Sequence, residues 1–142
     1  VESSMPTIEH GELQSGLSAF LFERRKVWRV RVLSDTRIRI AEAVFRVGDI
    51  CVVEADRSMR GVIRVPPLCV IEILSPDDRL ADIRVKARES LRFGTRHVWT
   101  VDPISGECYE HHESHMSPVQ DGVLRVQNTE IAIPIHEILS SL

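Results

Sequence analysis

The chain lacks any apolar run approaching the roughly 20 residues that span a bilayer, and no signal-peptide pattern opens it. A membrane span and a secretory leader are therefore not expected. Cysteine is scarce: Cys51, Cys69 and Cys108 are odd in number, widely spaced, and each set in a strand-like stretch. A disulfide framework is excluded, and the thiols read as reduced core residues of a cytoplasmic (bacterial) protein. Excess positive charge is also missing. A net charge of −3 argues, taken alone, against a nucleic-acid binder. No internal repeat, linker or low-complexity segment interrupts the chain, and no Met initiates it, so upstream residues are expected to have been lost or removed.

What remains is ordinary in bulk: 142 residues, 43% apolar and 27% charged, the profile of one domain spanning 1–142. A chain of this size buries about 68–70% of its unfolded surface. The charge is segregated, however. Residues 24–39 hold seven Lys/Arg against Asp35, and residues 79–96 hold six against Asp82 and Glu89, leaving a net −13 elsewhere. Such segregation can create a local phosphate-binding surface on an acidic protein. Solvated helix and strand faces are the plainer account.

Periodicity predicts a helix over 7–25, with Leu13, Leu17, Phe20 and Leu21 on one face, Thr7 as N-cap and Arg24-Arg25-Lys26 at the negative dipole end. Strands are expected at 28–33, 37–40 and 45–54, with Ser34-Asp35 as the first turn. After a polar loop, Pro66-Pro67 blocks helix and introduces a strand over 68–74. A second helix is expected over about 78–93, with a core stripe of Leu80, Ile83, Ala87 and Leu91 and Gly94 closing it. A strand over 96–101 follows. Next come an antiparallel pair, 107–111 with 122–126, a short strand at 131–133 and a helical turn at 136–139. The architecture is α/β, a mixed central sheet flanked by helices with a C-terminal antiparallel β extension.

Glu72 lies inside the run PPLCVIEILSP, where a charge is costly unless paired, hydrogen-bonded or bound to a metal. Asp49 sits in a similar run, VGDICVVEA. If the two strands are neighbours, both carboxylates can converge at the sheet edge. Hard oxygen donors with open positions suit Mg²⁺ or Mn²⁺, the parts of a phosphodiesterase site. Lys86 falls on the flank of the second helix's core stripe, from which its ammonium can aim at the sheet, with Asp82 one turn earlier to hold it. The bland readings are a strand-end acid, a solvated lysine, or a buried Glu72–Lys86 ion pair. His111, His112 and His115 form H-H-x-x-H, which lacks an obvious completing ligand. Trp99 reads as core, and Asp102-Pro103 as a turn.

These residues carry a resemblance. FRVGDICVVEADR, PPLCVIEILSPDDRLADIRVKARESLRFGTRHVWTVDP and IPIHEIL resemble the Uma-type restriction endonuclease family, within the PD-(D/E)XK nuclease superfamily, from about Glu2 to the C-terminus. The resemblance implies a restriction endonuclease-like core and metal-dependent hydrolysis of DNA phosphodiester bonds. Asp49, Glu72 and the Ile73 carbonyl would be the Mg²⁺ or Mn²⁺ ligands, and Lys86 would supply the ammonium that the superfamily usually places two residues after the Glu, where Leu74 stands. His10 would open the first helix where relatives often carry His, either near the site or as a capping or packing residue. Gly48 replaces the motif's Pro and is expected to loosen the start of the strand. Ser90 replaces a frequent Tyr. The first few residues would close an N-terminal hairpin that is mostly absent here. Nucleic acid, most naturally DNA, is the implied partner, and relatives suggest a homodimer. A non-catalytic nucleic-acid-binding or interaction domain on the same scaffold is the alternative.

Overall fold

The computed structural model describes residues 6–142, so the expected hairpin remnant lies outside the described residues. Helix α1 (Ile8–Trp28) opens at Thr7, whose hydroxyl accepts the His10 backbone N–H at 3.1 Å. It buries Leu13, Leu17 and Leu21 completely. The helix outruns its basic cluster by two residues. Trp28 packs on the core and against Phe20, and Arg29 closes the helix in the left-handed conformation at φ 56°.

Six strands form one sheet in the order β1 (Val30–Ala41), β2 (Val44–Glu54), β3 (Cys69–Ile73), β4 (His97–Val101), β5 (Cys108–His111) and β6 (Met116–Pro118). Only β3 and β4 are parallel, and α2 (Leu80–Phe93) is their crossover. A two-stranded sheet of β7 (Val123–Arg125) and β8 (Ala132–Pro134) leads into α3 (Ile135–Ser140). One hydrophobic cluster lies between α1 and the sheet and takes in Leu124, Ile133, Ile135 and Ile138 from the C-terminal extension. A smaller one, around Ile38, Cys51, Val70 and Phe93, lies on the α2 face.

Ser34-Asp35 is not a reversal. β1 runs straight through it, and the chain turns back at Glu42-Ala43, where Ala43 has φ 62°. Asp35 instead takes φ 51° within the strand, a conformation Asp tolerates better than most residues. The kink inverts the side-chain alternation: Val30 and Val32 face α1, whereas Ile38 and Ile40 face the α2 cluster. β2 inverts opposite it. Gly48 and Cys51 both face α2, and Ile50 and Val52 face α1. Because β3 pairs only with Ile50–Val52, the outer part of β1 and β2 extends beyond it, with Ile63 bridged to the free edge of β1 at Ile38.

Two further expectations are corrected. β5 pairs with β6, not with residues 122–126, because the 112–115 turn folds straight back; β7 finds its partner in β8. The inward face of α2 is Ala87 and Ser90, with Leu80 52% exposed, so the expected stripe is rotated. Ser90 makes that face viable by donating to Thr95 Oγ1 at 2.8 Å. All three cysteines are free and buried, and no helix among the described residues is long and apolar enough to cross a membrane.

Candidate active site

Asp49 and Glu72 meet where β2 and β3 separate. Their contacts interlock through the backbone: Glu72 Oε2 accepts the Asp49 N–H at 3.1 Å, and Asp49 Oδ2 accepts the Ile73 N–H at 2.8 Å. The Ile73 peptide is thus held against Asp49. Each carboxylate keeps one oxygen, Asp49 Oδ1 and Glu72 Oε1, without a hydrogen bond among the described residues.

Burial raises both acids above the ordinary carboxylate range. For Glu72, burial acts first, Asp49 adds repulsion, and the total pushes the group up to about 8, against an opposing pull from Lys86. Asp49 also rises through burial, opposed by the Ile73 N–H and His10. Neighbouring buried acids of this kind are stabilised in their ionised form by an opposite charge.

Glu72 and Lys86 line one pocket on the α2 face, together with Arg46, Gly48, Asp78 and Thr100. It offers about 80 Å³ to the centres of water-sized molecules, against the roughly 10–15 Å³ one water needs. Asp78 reaches into the electrostatics of Glu72, raising it further, and its carboxylate also accepts the Ser75 N–H at 2.8 Å. Lys86 is exposed and lies beyond ion-pair distance of both Glu72 and Asp82. The buried Glu72–Lys86 pair is therefore overturned, as is the expected brace from Asp82.

Asp49 does not line this pocket. Its carboxylate is held toward α1, where His10 Nε2 lies 3.2 Å from Oδ2. The opposite nitrogen, Nδ1, is the one buried side-chain polar atom without a hydrogen-bond partner among the described residues. Gln14, one turn further along α1, donates from its amide to the Asp49 carbonyl at 3.0 Å and to Asp35 Oδ1 at 3.1 Å. Sequence reading missed Gln14 and Asp78. The signal for Gln14 was its i+4 spacing from His10, and for Asp78 its place two residues after the Ser-Pro of the strand end.

The three histidines of H-H-x-x-H do not converge. His111 is buried, with Nε2 at 3.2 Å from Thr100 Oγ1, and burial lowers its pKa. His112 and His115 stack on each other at 4.5 Å in the turn. Among the described residues no three His, Cys, Asp or Glu side chains are grouped to hold a metal. What is present is a two-carboxylate donor set, each with a free oxygen, beside a lysine and a third acid. That set fits a hard divalent cation of the Mg²⁺ or Mn²⁺ kind, which needs only one or two carboxylates and completes its shell with water and phosphate oxygens.

A mixed sheet with a β-α-β crossover, an acid on each of two adjacent strands and a lysine on the crossover helix defines a restriction endonuclease-like fold. A solved structure described as "a putative nuclease belonging to DUF820 from Anabaena variabilis ATCC 29413" shares it, with TM-score 0.82 at 20% identity over 99% of this chain and 85% of that one. The family described as "Uma2: Putative restriction endonuclease" matches residues 1–134, and the chain belongs to that family. None of the curated proteins matches.

Proposed function

We propose that the protein is a Mg²⁺- or Mn²⁺-dependent endonuclease that hydrolyses DNA phosphodiester bonds. The observation that carries this reading is the backbone-linked pair Asp49 and Glu72, each with an unengaged carboxylate oxygen, of which Glu72 lines the Lys86 pocket. Asp49 and Glu72 would hold the cation, with the Ile73 carbonyl as a third donor. When bound, the cation would supply Lewis acidity at the phosphoryl oxygen and a more acidic water. Lys86 lines the same pocket, where its ammonium would orient the attacking water and offset charge gathering on the phosphoryl oxygens. Asp78, whose charge acts on Glu72, adds negative potential that would favour the cation. His10 and Gln14 fix Asp49 from the α1 side, at its carboxylate and its carbonyl respectively.

The experiment is cleavage of a mixed panel of double- and single-stranded DNA and RNA with Mn²⁺ titrated. Asp49→Ala and Glu72→Ala are expected to abolish cation-dependent cleavage. Lys86→Ala should lower kcat by about 10²–10³, the typical loss of one preorganised charge-stabilising donor. All three should keep the wild-type circular dichroism spectrum. Equal cleavage by wild type and all three variants would refute the reading.

A further inference from the structure

Four charged side chains line the candidate pocket: Glu72 and Asp78 on one side of the balance, Lys86 and Arg46 on the other. Arg46 has no part in the chemistry proposed above. Three further arginines of α2 are committed elsewhere. Arg84 and Arg88 donate to the carbonyls of Ser114 and Glu113, and Arg92 pairs with the Glu113 carboxylate at 3.1 Å, so all three clasp the β5–β6 turn. Arg46 is the guanidinium that the pocket keeps.

It stands on β2, three residues before Asp49, and reaches across to Glu89 on α2, one turn after Lys86. Its Nε and Nη2 donate to the same oxygen, Glu89 Oε1, at 2.7 and 2.6 Å, and Nη1 donates to the Phe45 carbonyl at 3.0 Å. Glu89 Oε2 makes no hydrogen bond among the described residues. An arginine edge fully used by an oxyanion meets two oxygens, one on each N–H. Here a single oxygen takes both. Glu89 is not part of the pocket lining, and both side chains of the pair are 34% exposed. An ion pair so open to water adds little to a fold, so bracing α2 against β2 is a weak account of it.

Resting on the nuclease reading above, we infer that Arg46 is a phosphate-binding residue of the pocket, and that Glu89 occupies its guanidinium edge while no strand is bound. The ligand is a backbone phosphodiester of a nucleic-acid strand. Its two non-bridging oxygens sit one on the Nε–H and one on an Nη2–H, completing the fork that a single carboxylate oxygen leaves half used. Glu89 turns out to water, as its half-exposed position allows. One anion replaces another at the same edge, so the guanidinium is paired before and after the exchange.

The test is fluorescence anisotropy with a labelled mixed-sequence DNA, as single strand and as duplex, in EDTA over a salt series, so that binding is read without cleavage. Arg46→Gln is expected to weaken binding roughly tenfold, the low end for hydrogen bonds to a charged group. Its slope of log K against log salt should flatten by about 0.7 on the single strand and by about 0.9 on the duplex, one phosphate contact in either case. Arg46→Lys, which keeps the charge and loses the fork, should restore the slope and only part of the affinity. Glu89→Gln is expected to act in the opposite direction. Freeing the edge from a half-exposed ion pair should tighten binding about three- to fivefold, and should do nothing in the Arg46→Gln background. A pair that only braces α2 would give both variants the same sign, a lower Tm and no gain in binding. Unchanged or weaker binding by Glu89→Gln, tightening that persists without Arg46, an unchanged slope in Arg46→Gln, or no binding by wild type would each overturn the assignment. If circular dichroism shows that Arg46→Gln does not fold, the sign of the Glu89→Gln effect and the slope of Arg46→Lys decide. Failure of the nuclease reading shows separately, as these opposite shifts in binding with no cation-dependent cleavage.

Discussion

Glu72 holds the least comfortable charge among the residues placed in the site, and its discomfort sets a pH dependence. Its folded pKa, about 8, lies above the ordinary 4.5, so folding favours the protonated acid. That contribution is complete below about pH 4.5 and is lost as pH rises through 8; Asp49 shifts in the same direction. The metal-free protein is expected to lose on the order of a few kcal/mol across this window. In thermal melts from pH 5 to 8.5, Glu72→Gln should remove most of the fall. Mn²⁺ at pH 8 should raise the Tm of wild type and not of the variant. Parallel pH curves for the two proteins would contradict the assignment of the burden to this side chain. The glycine beside the site makes a second prediction at the same scale. A Cβ on Gly48 would lie 2.9 Å from Cys51 Sγ, 3.0 Å from Val70 Cγ1 and 3.3 Å from Glu72 Oε2. The space over this glycine is already filled by those three side chains. Gly48→Ala should cost about 1–3 kcal/mol by overpacking, read from urea denaturation, and a neutral result would mean that the Val70 side yields. That Asp49 and Glu72 are unusual was legible from apolar runs around lone acids. Their interlocked backbone hydrogen bonds were not, because they depend on which strands are neighbours.

At the scale of elements, the arrangement turns on how α1 grips the kinked ribbon. Gln14 bridges Asp35 and Asp49 just where both strands invert their faces, so one amide ties helix to kink on both strands. Gln14→Ala is expected to cost about 1–2 kcal/mol, chiefly by leaving the partly buried Asp49 carbonyl unmet, since the Asp35 carboxylate is exposed. It should also weaken Mn²⁺ binding by calorimetry, since the strand bearing Asp49 is no longer pinned. Unchanged stability together with unchanged Mn²⁺ affinity would show that the kink holds itself. The helices and most strands were legible from period and capping, Thr7 and Gly94 among them. The kink was not. Ser34-Asp35 carries the chemistry of a turn, and only pairing with β2 across its whole length forces β1 to continue through it. The rotated face of α2 escaped for a related reason. Ser90 reads as solvent-facing by type, and only Thr95, brought round by the Gly94 cap, gives its hydroxyl a buried partner.

The whole molecule is closed by its last elements. β7, β8 and α3 place Leu124, Ile133 and Ile135, each fully buried, and Ile138, 4% exposed, into the same cluster as Leu13, Leu17 and Leu21. His97 ties this extension to the main sheet. Its Nε2 accepts the Gln127 N–H at 3.1 Å, which leaves the proton on Nδ1 to donate to Glu110 at 2.8 Å, while its ring stacks on Trp99 at 4.9 Å. The sequence marked these strands as an extension, because each is only three residues long. Yet at roughly 1.5–3 kcal/mol for each fully buried aliphatic side chain, those four residues contribute on the order of 6–12 kcal/mol. That is comparable to the whole stability of a typical domain, about 5–15 kcal/mol. The extension and the sheet are therefore expected to unfold together. Urea titrations followed by Trp fluorescence, which senses the buried Trp99, and by far-ultraviolet circular dichroism should superimpose on one transition. A chain ending at Asp121 should populate no cooperative fold. Two separated transitions, or a shortened chain that still melts sharply and still binds Mn²⁺, would show that the site needs only the six-stranded sheet and its two long helices.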